Sequence, residues 1–490
     1  MRRYLYCSVL LGACTSTVMF ESSDLQIDAS DADSTHARLC VTDLGGVYAT
    51  WVDARDGADA IWLARSLDRG ETFEAPVRVS HGQAQSLSPE LACASLRDST
   101  LVAEDAVYVV WEDTRDSELE NRNIYFQRSL DAGATWLEAD WVVSPDPEGR
   151  SMHLGPRVVA GNSEVYVTWF DGRSGAFDVY VQGSTTRAET WNDPVRLDGD
   201  TTGAGYSAWP DIASDGEGHC YVAWEDSRDG ASDIYVAATG NGGFSFSQGQ
   251  RLDLGPDVNG TADAPGSHDS FRPRISTLGS SVAVAWHDER FGPARDILMS
   301  VSTDHGVAWY DQAVRVEGNQ PGFFDSINPA VGLVDNPASS GPQTVVQVAW
   351  QDARADAYDV FHRRVPEIAD VEETRLDTGA AGGGQSLNVE VATEGSTVIV
   401  AWEDRRDDTG EGYNDLYYNV SMDAGETWLE NDLRLDNIAP GTSFATDLTV
   451  DLLDGEIYAL WVDGRNGSAD VYFQRLPVGE AAQFDRVPAP

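Results

Sequence analysis

Trp-x-Asp-x-Arg occurs eight times along this 490-residue chain, with its tryptophan at Trp51, Trp111, Trp169, Trp224, Trp286, Trp350, Trp402 and Trp461. Successive copies lie 52 to 64 residues apart, from Trp350 to Trp402 at the shortest and from Trp286 to Trp350 at the longest. A fixed internal period of that length is the mark of a repeat architecture, in which each repeat is one supersecondary unit stacked on its neighbours.

Other pieces recur in the same order around each copy. An alternating apolar run precedes the tryptophan, as in Val107-Tyr108-Val109-Val110 and Val398-Ile399-Val400-Ala401. Asp-[Ile/Val/Leu]-Tyr follows it, as in Asp233-Ile234-Tyr235 and Asp470-Val471-Tyr472, and then Arg-[Leu/Val]-Asp, as in Arg196-Leu197-Asp198 and Arg434-Leu435-Asp436. A variable loop leads to Ser-x-x-Pro and a further alternation, as in Ser207-Ala208-Trp209-Pro210. β-Branched and aromatic runs of this kind read as strands, four per repeat, with no helical periodicity between them. The fold class is therefore all-β: a β-propeller of eight four-stranded blades, forming a single domain over residues 24–490. Leu25-Gln26-Ile27-Asp28 resembles a blade's outermost strand and is expected to fasten the ring to the last blade. Phe484-Asp485-Arg486-Val487 competes for that place.

The turn between third and fourth strands carries Ser-x-Asp-x-Gly-x-Thr-Trp, intact at Ser129 to Trp136 and Ser421 to Trp428. Ser66 to Phe73 and Ser302 to Trp309 are near copies, and Ser184 to Trp191 and Thr239 to Phe246 are degenerate ones. This is the Asp-box, and the chain is similar through nearly its whole length to the sialidase-like (BNR-repeat) propeller superfamily. The resemblance implies that the Asp-boxes lie opposite the active face and serve structure: an Asp accepting backbone N–H bonds, a Gly at unusual φ and a packed aromatic lock a tight turn. Sialidases proper have six blades where this sequence counts eight, and their Arg-Ile-Pro signature is absent; Phe271-Arg272-Pro273-Arg274-Ile275 is only superficially like it.

Residues 1–20 read as an export signal: Arg2 and Arg3, an apolar run from Tyr4 to Leu11, then Leu11-Gly12-Ala13-Cys14, a lipobox with Cys14 as the lipidated residue. The expected location is extracytoplasmic, as a bacterial envelope lipoprotein or a secreted protein, with the membrane met only through that anchor. Cys40, Cys93 and Cys220 remain in the folded part; buried free thiols are the simpler reading, and Cys40–Cys93 is the one disulfide the repeat register allows. The net charge is −48 and the chain contains no lysine, which argues against a nucleic-acid backbone as partner.

Loops joining strands two to three and four to one share one face of a propeller, so that face would carry the eight Asp-x-Arg turns. The expected role of each motif arginine is a staple between the motif acid and the acid opening the next strand. Asp53, Asp56 and Asp59, with Asp226 and Asp229, offer oxygen ligands at tight spacing and are the weak candidates for Ca²⁺; no other cofactor is implied. The serine that opens this piece recurs at Ser34, Ser86, Ser207, Ser270, Ser326, Ser386 and Ser443, with His153 in the remaining blade, and either faces a polar ligand or bonds a turn's backbone.

The position after the proline, or after the residue that stands in its place in the first, seventh and eighth copies, changes around the ring: Arg38, Glu90, Arg157, Asp211, Arg274, Ala330, Glu390 and Asp447. Arginines alternating with acids suggest neighbours neutralising one another, while the same side chains are the raw material of a glycosidase. The long four-to-one loops add His153, Tyr206, Trp209, His268, Phe271, Phe323, Phe324 and Phe444, aromatics suited to sugar stacking or a protein partner. The reading that results is a monomeric, non-catalytic binding protein for a glycan or protein ligand. The alternative is a glycoside hydrolase of exo-sialidase type with its site at the channel mouth.

Overall fold

The computed structural model describes residues 24–478, apart from residue 29 and the stretches 98–103, 117–120, 145–150, 258, 337–343 and 366–372. The export signal with Cys14, and the segment Phe484–Val487, lie outside the described residues. Thirty-two strands form eight four-stranded antiparallel sheets, and no described residue is helical. In the first blade the strands are Ser34–Val41, Val47–Asp53, Ala60–Ser66 and Val77–Arg78, and the other blades follow the same inner-to-outer order.

The second strand of each blade is apolar on both faces because both faces are covered by neighbouring blades. All eight motif tryptophans are fully buried. The core is accordingly eight separate apolar clusters, each wedged between two adjacent blades; one joins Tyr166, Val181, Val222 and Trp224, the next Tyr221, Val236, Val284 and Trp286. No blade can bury its own faces, so the ring is the smallest stable unit.

The ring closes as expected. Leu25–Gln26 pairs antiparallel with Asp470–Pro477, supplying the outermost strand of a sheet whose other members come from the C-terminal end. Cys40 and Cys93, on the inner strands of blades one and two, are joined in a disulfide; the free-thiol reading holds only for the buried Cys220.

Every inner strand carries a bulge two residues after its first ladder pair, as where Ser207 pairs with Asp226 and the register shifts between Ala208 and Asp211. The residue at the bulge has positive φ in each blade: His36, Ser88, Gly155, Trp209, Arg272, Asn328, Asn388 and Asp447. This alignment corrects the eighth blade. Ala445, not Ser443, pairs with the motif acid Asp463, so Asp447 is the bulge residue and Thr449 occupies the place that Arg38 and Glu90 hold in their blades.

Candidate functional site

The motif acid holds the motif arginine in every blade, and in most it gathers further bonds. Asp226 receives the Trp224 indole N–H at 3.0 Å, the Ser207 hydroxyl at 3.0 Å, the Arg228 amide at 3.0 Å and the Arg228 Nε at 2.7 Å. Burial pushes the carboxyl up, but the Arg228 and Trp224 hydrogen bonds outweigh it and hold Asp226 below the usual carboxylate range. The serine and indole bonds recur at Asp113, Asp288, Asp352 and Asp404. The guanidinium then lies over the aromatic of the third strand, 4.2 Å from the Tyr235 ring and 3.9 Å from that of Tyr417.

Two expectations change here. At Ser86, Ser207, Ser270, Ser326 and Ser386 the recurring serine bonds the motif carboxylate rather than a backbone group or a ligand, while Ser34 bonds Asp28. His153 takes the serine's place in its blade, fully buried with Nδ1 3.0 Å from Asp171; it is not displayed to a ligand. The acid that opens the third strand is held by the arginine of Arg-[Leu/Val]-Asp instead of the motif arginine: Arg251 lies 3.0 Å from Asp233 and Arg434 2.6 Å from Asp415. The motif arginine finds its second acid near the fourth strand, in its own blade for Arg115 with Asp140 at 2.7 Å, or in the preceding blade for Arg406 with Asp377 at 3.0 Å. Asp53 and Asp226 are thereby committed to Arg55 and Arg228, which removes the core of both proposed calcium groupings. Asp56 and Asp229 stay exposed, and Asp59 is approached by the Gln85 amide at 3.4 Å.

The bulges bring the variable positions together. A cavity of about 890 Å³ opens on the channel axis, lined by Arg38, Glu90, Arg157, Asp211, Arg274, Glu390 and Asp447, all named above, and by residues that the sequence did not single out: Arg122, Arg272, Glu112 and Glu403. Ala330 does not line it, and of the eight aromatic-loop candidates only Trp209 does. Phe323 and Phe324 pack edge to face on each other, Phe271 packs on His287, and His268 is bonded to Asp263 at 2.9 Å, away from the cavity lining. Tyr206 stands behind Trp209 in an aromatic chain through Phe177 and Phe170, with successive centroids 5.6, 5.2 and 5.5 Å apart.

Glu90 is the electrostatic centre. Arg38 reaches it at 3.1 Å from one side and Arg157 bonds it from the other, with Asp211 3.7 Å further round. Burial alone would raise the Glu90 carboxyl, but Arg157, Arg38 and Arg274 override it and hold the group below its ordinary value. Glu390 goes the other way: burial raises it and the same three arginines offset this only in part. Arg272 and Arg274 are exposed in the cavity and form no ion pair among the described residues; the Arg272 guanidinium lies 4.4 Å from the Trp209 ring, itself 43 % exposed.

A further series ties the cavity wall from blade to blade. The middle residue of Trp-x-Asp accepts the amide of the next blade's bulge: Glu112 from Gly155 at 2.9 Å, Glu225 from Arg272 at 2.6 Å and Gln351 from Asn388 at 3.2 Å. The signal was in the sequence, because an acid one place after tryptophan interrupts an otherwise apolar strand. Glu403 belongs to this series but takes the Asn414 amide at 3.0 Å instead. Burial, opposed by hydrogen bonds from Asn388, Thr446 and Asn414 and reinforced by Asp447, pushes its carboxyl up to about 7.

No family model and no curated protein sequence matches the chain. Among solved structures it is similar to the polysaccharide lyase Uly1, at 9 % identity and a TM-score of 0.48 over 84 % of this chain and 94 % of that one. It is also similar to an α-L-arabinofuranosidase of Fusarium graminearum, at 14 %, 0.38, 71 % and 97 %, and to the sialidase of Trypanosoma rangeli, at 11 %, 0.38, 94 % and 58 %. Each of these three acts on a glycan.

Proposed function

We propose that the channel mouth binds an acidic saccharide without cleaving it. The observation that carries this reading is the pairing of Trp209 with Arg272 and Arg274. Trp209 is an exposed indole held at positive φ in the cavity wall, and its uncovered surface offers a sugar an apolar contact; Arg272, whose guanidinium lies over the ring, and Arg274 form no ion pair among the described residues and can meet a carboxylate or sulfate there. Glu90 and Asp211 together offset the charges of Arg38 and Arg157 beside them. A sialidase-type mechanism calls for a tyrosine nucleophile beside a glutamate, and no tyrosine is among the described residues lining the cavity. The test is a glycan array with the wild-type protein and the Trp209→Ala and Arg272→Ala variants. Binding to uronate-, sialate- or sulfate-bearing glycans, lost in both variants, supports the reading, and an array blank for acidic glycans refutes it.

One observation favours hydrolysis as a second reading. Glu403 is a cavity carboxyl raised to about 7, as a general acid requires. Release of 4-methylumbelliferone from a fluorogenic glycoside by the wild type, but not by Glu403→Gln, would replace binding with catalysis.

A further inference from the structure

We propose that the seam between the fourth and fifth blades, on the face opposite the cavity, holds a zinc-class divalent metal ion bound by Asp215, His219 and His305. Asp215 and His219 sit in the hairpin turn between Ser207–Ser214 and Cys220–Asp226, and His305 sits in the Asp-box turn of the next blade. The three donor atoms lie within 4.8 Å of one another. Asp215 divides its oxygens between two tasks. Oδ1 accepts the amides of Glu217 and His219 at 2.8 and 3.1 Å, fixing the turn, while Oδ2 faces His219 Nδ1 at 2.7 Å and His305 Nδ1 at 3.8 Å.

Ligands held at roughly 2.0–2.2 Å from a tetrahedral ion stand roughly 3.3 Å apart, and the two observed separations straddle that value. The imidazoles are stacked with centroids 4.1 Å apart, and His305 Nδ1 is also 3.3 Å from the Tyr221 hydroxyl, a contact that the ion would replace. His219 lies over Gly240, where a Cβ would come within 3.1 Å of the ring; the space is kept open by a glycine in the degenerate Asp-box of its own blade. His305 adopts φ of 59°, a conformation histidine tolerates better than most side chains.

The donor set separates this cluster from the two other groupings of close acids. Asp178, Asp198 and Asp200 surround Arg196, and Asp233, Asp253 and Asp263 surround Arg251, so a guanidinium already supplies the positive charge in both. Asp215 has no arginine partner among the described residues. Two imidazoles and one carboxylate select zinc and its borderline neighbours over calcium or magnesium, which prefer oxygen alone. The ion would take the place of the proton between His219 Nδ1 and Asp215 Oδ2 and leave a fourth position for water. It would clasp adjacent blades on the side where the motif staples do not reach.

The experiment is calorimetric titration of chelator-treated protein with Zn²⁺, beside His219→Gln and His305→Asn, the latter chosen because asparagine tolerates positive φ. One equivalent of zinc bound by the wild type, a raised melting temperature, and loss of both effects in each variant are expected, with Ca²⁺ and Mg²⁺ inert. Absence of stoichiometric zinc binding, or binding that survives either variant, overturns the site. Should a variant fail to fold, Co²⁺ added to the wild type decides: visible d–d bands of a nitrogen-ligated ion support the site, and a spectrum no stronger than aqueous Co²⁺ refutes it.

Discussion

Arg157 and Glu90 form an ion pair across the boundary between the second and third blades, on the wall of the channel mouth. Arg38 bonds the same carboxylate from the first blade, so one acid joins three blades. Removing the charge leaves two guanidiniums facing each other in a half-closed cavity. Glu90→Gln should lose about 3 kcal/mol of stability, the scale of breaking a largely buried pair, read as a lower denaturant midpoint. A change within a few tenths of a kcal/mol would mean that solvent already screens the pair.

The motif acid predicts a larger and more uniform effect. Asp226→Ala strips the Trp224 indole, the Ser207 hydroxyl and the Arg228 guanidinium of their shared acceptor. A loss of about 3–5 kcal/mol is expected, and Ser207→Ala alone should cost about 1 kcal/mol. Equal losses in the two variants would remove the carboxylate from its place as hub.

Stability should fall as the solution is made more alkaline. Burial raises Asp198 and Glu317 to about 8, Asp233 and Asp436 to about 7 and Asp377 to about 6. The folded chain therefore binds more protons than the unfolded one between the ordinary carboxylate range and about pH 8, and in that window unfolding becomes easier with each step up. Asp226 and Asp352 are depressed and act oppositely, their contribution disappearing only below the ordinary range. Buried His287 and His362, lowered to about 3, oppose the decline up to the ordinary histidine range, so melting temperatures should fall clearly from pH 6.5 to 8.5, and a flat or rising profile there would contradict the prediction.

Reduction should weaken the first seam. The disulfide closes a stretch of 53 residues, for which restricted unfolded-state freedom contributes about 2–4 kcal/mol. Cys40→Ser with Cys93→Ser should lower the melting temperature of the oxidised protein and abolish its sensitivity to reductant, read by thermal melts with and without a reducing agent.

The blade count and the ring closure were legible because a buried tryptophan on a doubly covered strand leaves an apolar alternation that survives in all eight copies. The site was legible only by position. Seven of the eight residues named do line the cavity, six of them in the equivalent register and Asp447 as a bulge residue, because the register of blade eight lies two places further along. Ser443 offered the expected hydroxyl, but pairing is set by the Ala445–Asp463 contact, and no proline marks the bulge. Nor could the strand order alone say which arginine serves which acid. Arg406 and Asp377 are 29 residues apart and meet only because neighbouring blades stand side by side. Trp209 differs from the other loop aromatics for a similar reason: it is the one at a bulge, where the chain turns its side chain into the channel.

Leu25–Gln26 and Asp470–Pro477 share one sheet, so the beginning and end of the described ring are hydrogen-bonded neighbours. The circle has no privileged starting point. A chain whose two ends are tied by a short linker and which is cut instead in another blade's outer loop should wind into the same molecule, provided that the cut spares the bulges. Order along the gene and order around the axis are, for this architecture, separable.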